Sequence, residues 1–265
     1  MRPTLSGSRP GPGRLQRRKE RETAGLFLVE GPQAVREALR AGVVTDLYVD
    51  PSANERLSPL LDDALDLGIV PRELGGRDLA ALTDTVSPQG IVAVCRRIDV
   101  GLVEVVRPGA TLLVCCVQVR DPGNAGTVVR CADAFGAGGV VLSSGSVELT
   151  NPKTVRASVG SLFHLPVTVG ADLAAVVTAA HEAGLQVLAA DGSGDVELSE
   201  LSRVGGLVGP TLWLFGNEAW GMPADDLALA DRVVRVPLYG AAESLNLATA
   251  AAVCLYASAT AQHDG

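Results

Sequence analysis

The chain has 265 residues, enough for one large domain or two modest ones, and 47% of them are hydrophobic, enough for a substantial core. It has neither a run of about 18 apolar residues nor an apolar signal-peptide stretch, so no membrane partner and a cytoplasmic location are expected. The net charge of −8 argues against a protein that coats nucleic acid.

The charge is unevenly placed. Residues 1–22 hold seven basic and two acidic residues, a net +5, which leaves −13 for the rest. Rich in Gly, Pro and Arg, this segment is expected to be a disordered arm. Its Arg14, Arg17 and Arg18 either neutralise RNA phosphates or lie in a solvated tail.

Phe27–Glu30 then predicts a strand, and Gly31-Pro32 opens a helix over 33–41. A second strand follows at Asp46–Asp50. Ser58–Leu67 predicts a helix whose apolar face is Leu60, Leu61, Leu65 and Leu67. Ile69-Val70 starts another strand, Leu79–Leu82 a short helix, and Gly90–Cys95 a buried strand. Residues 23–97 thus form a small α/β domain, with 98–109 as linker.

Residues 110–262 alternate more strongly. Strands are expected at Leu112–Val117, Val140–Leu142, Val167–Val169, Leu185–Ala190, Thr211–Phe215 and Val233–Val236. Helices are expected at Thr127–Phe135, Thr154–Ser161, Leu173–Ala183 and Leu245–Ala261. Near-continuous apolar strands between helices imply an α/β fold with a parallel sheet covered on both faces. Gly136–Gly139 lies between a helix and a strand, the reverse of a nucleotide loop, and is read as a helix stop. Five cysteines without a C-x-x-C pair are expected to be buried, reduced thiols. Three scattered histidines have no metal-ligand spacing, so no metal is expected.

Three blocks carry the chemistry: Asn124-Ala-Gly126-Thr-Val-Val-Arg130; Leu214-Phe-Gly216-Asn217-Glu218-Ala-Trp-Gly221; and Val236-Pro-Leu238 followed by Ser244-Leu245-Asn246. Alone, each has an ordinary structural reading as a helix start with a surface Arg, a strand-to-helix turn, or an N-cap. In this order they resemble the SpoU (TrmH) family of RNA ribose 2′-O-methyltransferases, within the SPOUT superfamily. Phe27-Leu-Val-Glu30-Gly31 and the strand ending at Cys95 resemble that family's small RNA substrate-binding domain.

The resemblance implies a SPOUT domain with a deep trefoil knot, the cofactor S-adenosyl-L-methionine, and a homodimer through the C-terminal domain. It also implies an RNA substrate, with large-subunit rRNA expected and tRNA as the alternative. A catalytically silent assembly factor is a further alternative. It assigns catalysis to Arg130, Asn124, Glu218, Ser244 and Asn246. The cofactor pocket falls to Leu214, Gly216, Asn217, Gly221, Val236, Leu238, Ser244 and Leu245. Lys153 and Arg156 lie near the expected RNA face, or on a solvated helix edge. Asn246 is expected to be buried, Ser244 to suit a helix N-cap, and Gly216 to admit a ligand close to the backbone.

Methyl transfer to a hydroxyl needs the two atoms held together and the proton removed. Guanidinium, with a pKa above about 12, is a poor base. Arg130 therefore either activates the hydroxyl or clamps the adjacent phosphate and the forming alkoxide.

Overall fold

A computed structural model of the chain describes residues 11–83, 85 and 88–264. Residues 1–10 of the expected disordered arm lie outside that range, and the rest of the arm is helical. Pro12–Gln16 forms a 3-10 turn and Arg18–Ala24 the helix α1, stopped by Gly25 at φ 64°. The cause is Leu15, 1% exposed, which joins Leu26, Leu28, Val92 and Val94 in a core. Arg21 is buried alongside it, and its Nη1 donates to the carbonyls of Leu15 at 2.9 Å and Gln16 at 2.8 Å. Arg14 pairs with Glu20 at 3.1 Å and Arg18 with Glu22 at 2.7 Å, so part of the expected RNA-facing charge is neutralised locally.

The chain divides into two compact units, one ending at Arg97, with Thr150–Pro152 grouped in it, and one formed by the remainder. The first unit continues with β1 (Leu26–Glu30), α2 (Pro32–Arg40), β2 (Val44–Val49), α3 (Asn54–Asp66), β3 (Arg72–Glu73), α4 (Gly76–Ala80) and β4 (Ile91–Arg96). Its sheet has the order β1-β4-β2-β3. β4 runs antiparallel to β1 and β2, while β3 is parallel to β2.

Two expectations fail here for local reasons. α3 buries Leu57, Leu60 and Ala64 on one helical face, which leaves Leu65 and Leu67 exposed. Ile69 is no strand residue: its N–H bonds the Ala64 carbonyl after Gly68 at φ 75°, so its apolar side chain follows a helix stop.

The second unit begins inside the expected linker. Leu102–Val105 forms α5, and Val105 and Val106 are buried in the core. Then come β5 (Leu112–Cys116), α6 (Pro122–Ala134), β6 (Val140–Ser143), α7 (Pro152–Ser158), β7 (Val167–Ala171), α8 (Leu173–Glu182) and β8 (Gln186–Ala190). After these come β9 (Val196–Glu197), α9 (Leu198–Arg203), β10 (Thr211–Phe215), α10 (Ala224–Leu227), β11 (Arg232–Arg235) and α11 (Leu247–Asp264).

The sheet order is β7-β6-β5-β10-β8-β11-β9. Every pairing in it is parallel. Alternate residues serve opposite faces. Leu113, Cys115, Leu212 and Leu214 pack with Val176, Val177 and Ala180 of α8. Trp213 points the other way, toward α11, where its Nε1–H donates to the buried Ser258 Oγ at 2.9 Å. α6 stops as expected, with Gly136 at φ 72°.

Candidate active site

Ligands of open parallel sheets bind beyond the carboxyl ends of the strands. The carboxyl ends of β8, β10 and β11, closed by the segment 236–247, form a cleft of about 520 Å³. Val234, Val236, Leu238 and Leu245 supply apolar wall, while Asp191, Glu218 and Glu243 supply carboxylates. Among the described residues, no Lys or Arg lines it. Such a cleft suits a ligand with an apolar flat part and a positive charge, and opposes a pyrophosphate. Among the described residues, no group of three or more His, Cys, Asp or Glu could hold a metal ion.

Beside the cleft, the three sequence blocks meet through one chain of hydrogen bonds. Asp121 caps α6 by accepting the Asn124 N–H at 2.8 Å, and Pro122 takes the first helical position. That backbone bond, then the Lys153 ammonium 3.0 Å away, holds the Asp121 carboxyl below its usual range. Glu218 lies at the same helix end. Its carboxylate accepts from the N–H groups of Arg120 at 3.4 Å and Asp121 at 3.3 Å, and from Asn124 Nδ2 at 3.1 Å. The Asn124 side-chain Oδ1 in turn accepts from Asn246 Nδ2 at 3.0 Å.

Asn246 Oδ1 caps α11, accepting from Ala248 N at 2.9 Å and Thr249 N at 3.3 Å. Ser244 is therefore not the cap, although it lines the cleft, and Asn246 is exposed rather than buried.

Gly216 lines the cleft. A Cβ there would sit 2.7 Å from the Gly221 carbonyl carbon and 2.7 Å from Met222 Cγ, so the missing side chain also makes room for its own loop. Asn217 closes that loop, pairing with Gly221 by two backbone bonds of 2.9 Å and donating from Nδ2 to the Gln118 carbonyl at 2.7 Å. Gly221 adopts φ 67°, which favours glycine. At Gly126, a Cβ would meet the Thr154 carbonyl and lie 2.7 Å from Ala157 Cβ, so this glycine sets the approach of α6 to α7.

Of the remaining expected residues, Leu214 is fully buried in the core and does not line the cleft, whereas its neighbour Phe215 does. Arg130 is exposed on α6, makes no hydrogen bond or ion pair among the described residues, and does not line the cleft. Lys153 lies 3.0 Å from Asp121, and Arg156 is half-buried on α7. Sequence reading missed Asp191 and Glu243. Asp191 carries a usable signal, a carboxylate directly after an apolar parallel strand. Its Oδ1 accepts from Ser193 N and Oγ, and its Oδ2 faces Gly221. All five cysteines are free; Cys95, Cys115, Cys116 and Cys254 are buried in the core as expected, whereas Cys131 is only half-buried, and desolvation raises the pKa of each, Cys116 and Cys254 to about 12.

Residues 111–256 match the SpoU rRNA methylase family, and residues 28–99 match the RNA 2′-O ribose methyltransferase substrate-binding domain. The chain belongs to the SpoU family. It is 35% identical over 244 residues to the 23S rRNA (guanosine(2553)-2′-O)-methyltransferase RlmP of Bacillus subtilis, covering 92% of each chain. The crystal structure of the SpoU methyltransferase AviRb from Streptomyces viridochromogenes in complex with AdoMet matches at a TM-score of 0.82 and 29% identity, over 97% of this chain and 100% of that one. The AdoMet-bound rRNA methyltransferase from Sinorhizobium meliloti matches at 0.79 and 29%, over 93% and 92%. This SpoU protein is thus an RNA methyltransferase that uses S-adenosylmethionine, as the motifs imply.

Proposed function

We propose that this SpoU protein methylates a ribose 2′-hydroxyl of large-subunit ribosomal RNA. The observation that carries the reading is the Glu218–Asn124–Asn246 hydrogen-bond chain, which ties the three sequence blocks together beside an acidic cleft. A large-subunit target is supported by the 35% identity to a 23S rRNA enzyme along 92% of the chain.

S-adenosylmethionine supplies an electrophilic methyl group on a positively charged sulfonium. Val236, Leu238 and Leu245 would hold the apolar part of the cofactor, and Asp191, Glu218 and Glu243 would favour its positive charge. Asn217 and Gly221 hold the loop that walls the cleft, and Ser244 lines it. Asn124 and Asn246 fix each other and keep Glu218 at the start of α6. Arg130 clamps the substrate phosphate through its planar guanidinium fork and stabilises the alkoxide as it forms. Lys153, Arg156 and the cations of the N-terminal segment add to the field that holds RNA.

The reading includes a cytoplasmic location, a trefoil knot in the last segments of the second unit, and a homodimer through that unit. The dimer is supported by α11, which leaves Val253 and Tyr256 37% and 60% exposed.

Incubation with methyl-labelled S-adenosylmethionine and unmodified 23S rRNA tests the reaction. A 2′-O-methyl group blocks alkaline cleavage at its own phosphodiester, so label is expected in an alkali-resistant dinucleotide. Label in mononucleotides would mean base methylation and would end the ribose reading, and label in tRNA alone would move the substrate.

Glu218→Gln replaces an oxygen that accepts N–H groups with an amide that donates. It is expected to lower kcat/KM by about 10- to 100-fold and to weaken the dependence of cofactor affinity on ionic strength. An unchanged kcat/KM would remove Glu218 from the site.

A further inference from the structure

Trp220 stands between two residues that line the cleft, Ala219 and Gly221, yet is not itself among the lining residues. It is 50% exposed, whereas the chain's other tryptophan, Trp213, is fully buried. The ring is also held in place. The Arg120 guanidinium lies 5.1 Å from its centroid, a cation–π distance. The Arg120 backbone N–H donates to Glu218, so the residue that clamps the ring also belongs to the hydrogen-bond chain at the start of α6. Tyr239, 92% exposed, follows the cleft residue Leu238 and adds a second open ring on the other loop that walls the cleft.

We propose that Trp220 is the stacking platform for the base of the target nucleotide, or of the nucleotide next to it. RNA enzymes that recognise splayed bases stack them on aromatic rings, and every base offers a π-face. The guanidinium lies over one face of Trp220, and the residue's 50% exposure leaves ring surface on which a base can stack. Its chain neighbours Ala219 and Gly221 line the cleft, so a base stacked on Trp220 would place its ribose near the cleft. The cofactor does not need this ring, because the cleft is walled without it. The inference rests on the site reading above and adds the group that grips the substrate.

The chain carries its own probe. Trp213 is fully buried, so quenching of exposed tryptophan emission by added RNA reports on Trp220. Titration with transcribed 23S rRNA, and separately with tRNA, is expected to quench the wild-type protein and to leave Trp220→Phe unquenched. Kinetically, Trp220→Ala is expected to raise the KM for 23S rRNA by about 10- to 100-fold, the range for one base stacked on one ring. kcat and the Kd of S-adenosylmethionine should stay close to wild type, and Trp220→Phe should recover much of the lost KM. A weakened cofactor Kd with unchanged KM would assign the ring to the cofactor loop and overturn the proposal. So would unchanged KM and no quenching by either RNA. The fluorescence titration needs no turnover, so it answers for Trp220 even if methyl transfer to ribose is not found.

Discussion

Arg130→Ala is expected to lower kcat/KM for RNA by about 100- to 1000-fold, the usual effect of removing one group that stabilises a developing oxyanion. The substitution is clean. Arg130 is exposed, has no hydrogen bond or ion pair among the described residues, and does not line the cleft, so neither fold nor cofactor affinity should change. Arg130→Lys keeps the charge without the planar fork and should fall between the two, closer to alanine if phosphate is gripped bidentately. Steady-state kinetics alongside calorimetric cofactor binding checks this. Full activity in the alanine variant would take Arg130 out of the reaction. Equal loss of cofactor binding would make its role structural.

The largest effect on stability is expected at Trp213. Trp213→Ala removes a fully buried indole from the centre of the second unit's sheet and should cost about 3–5 kcal/mol. The ring stacks on Phe215, with centroids 6.0 Å apart, and its N–H is the bond to Ser258 that ties α11 to β10. Trp213→Phe keeps most of the volume but leaves the buried Ser258 hydroxyl without its donor, a cost of about 1–3 kcal/mol. Urea unfolding followed by circular dichroism measures both. A loss below about 1 kcal/mol in the alanine variant would show that α11 is anchored elsewhere.

The strands were readable where burial is complete. β5 is five apolar residues and β10 is four after Thr211, and burial on both faces is what removes polar alternation from a sequence. The short pair β9 and α9 was not read, because two half-buried strand residues leave no period to detect. α6 starts at Pro122, earlier than its apolar stretch suggests, and the signal was the Asp121 cap followed by proline. The basic segment was misjudged because one leucine among cations carries the burial.

At the site, the three blocks were legible as residues but their geometry was not. Asn124, Glu218 and Asn246 come together only because β5, β10 and the segment before α11 end side by side. Ser244 had a plausible reading as an N-cap that the helix start assigns to Asn246 instead. Asp191 stood outside every motif, and only its place at the end of β8 marks it.

The position of β10 has a consequence for synthesis on the ribosome. β10 sits between β5 and β8, and its residues 211–215 pair with 112–116 and 186–190. Until residue 215 has been made, β5 can pair with β6 alone, and its other edge is an open row of backbone donors and acceptors beside apolar side chains. At about 5–20 residues per second, that edge waits about 5–20 s for its partner. The first unit waits less, because β1 and β2 both find β4 once Arg96 has been made. The nascent chain is most prone to aggregate while residues 117–215 are being translated, and slow codons in that stretch are expected to lower the soluble yield without altering the finished protein.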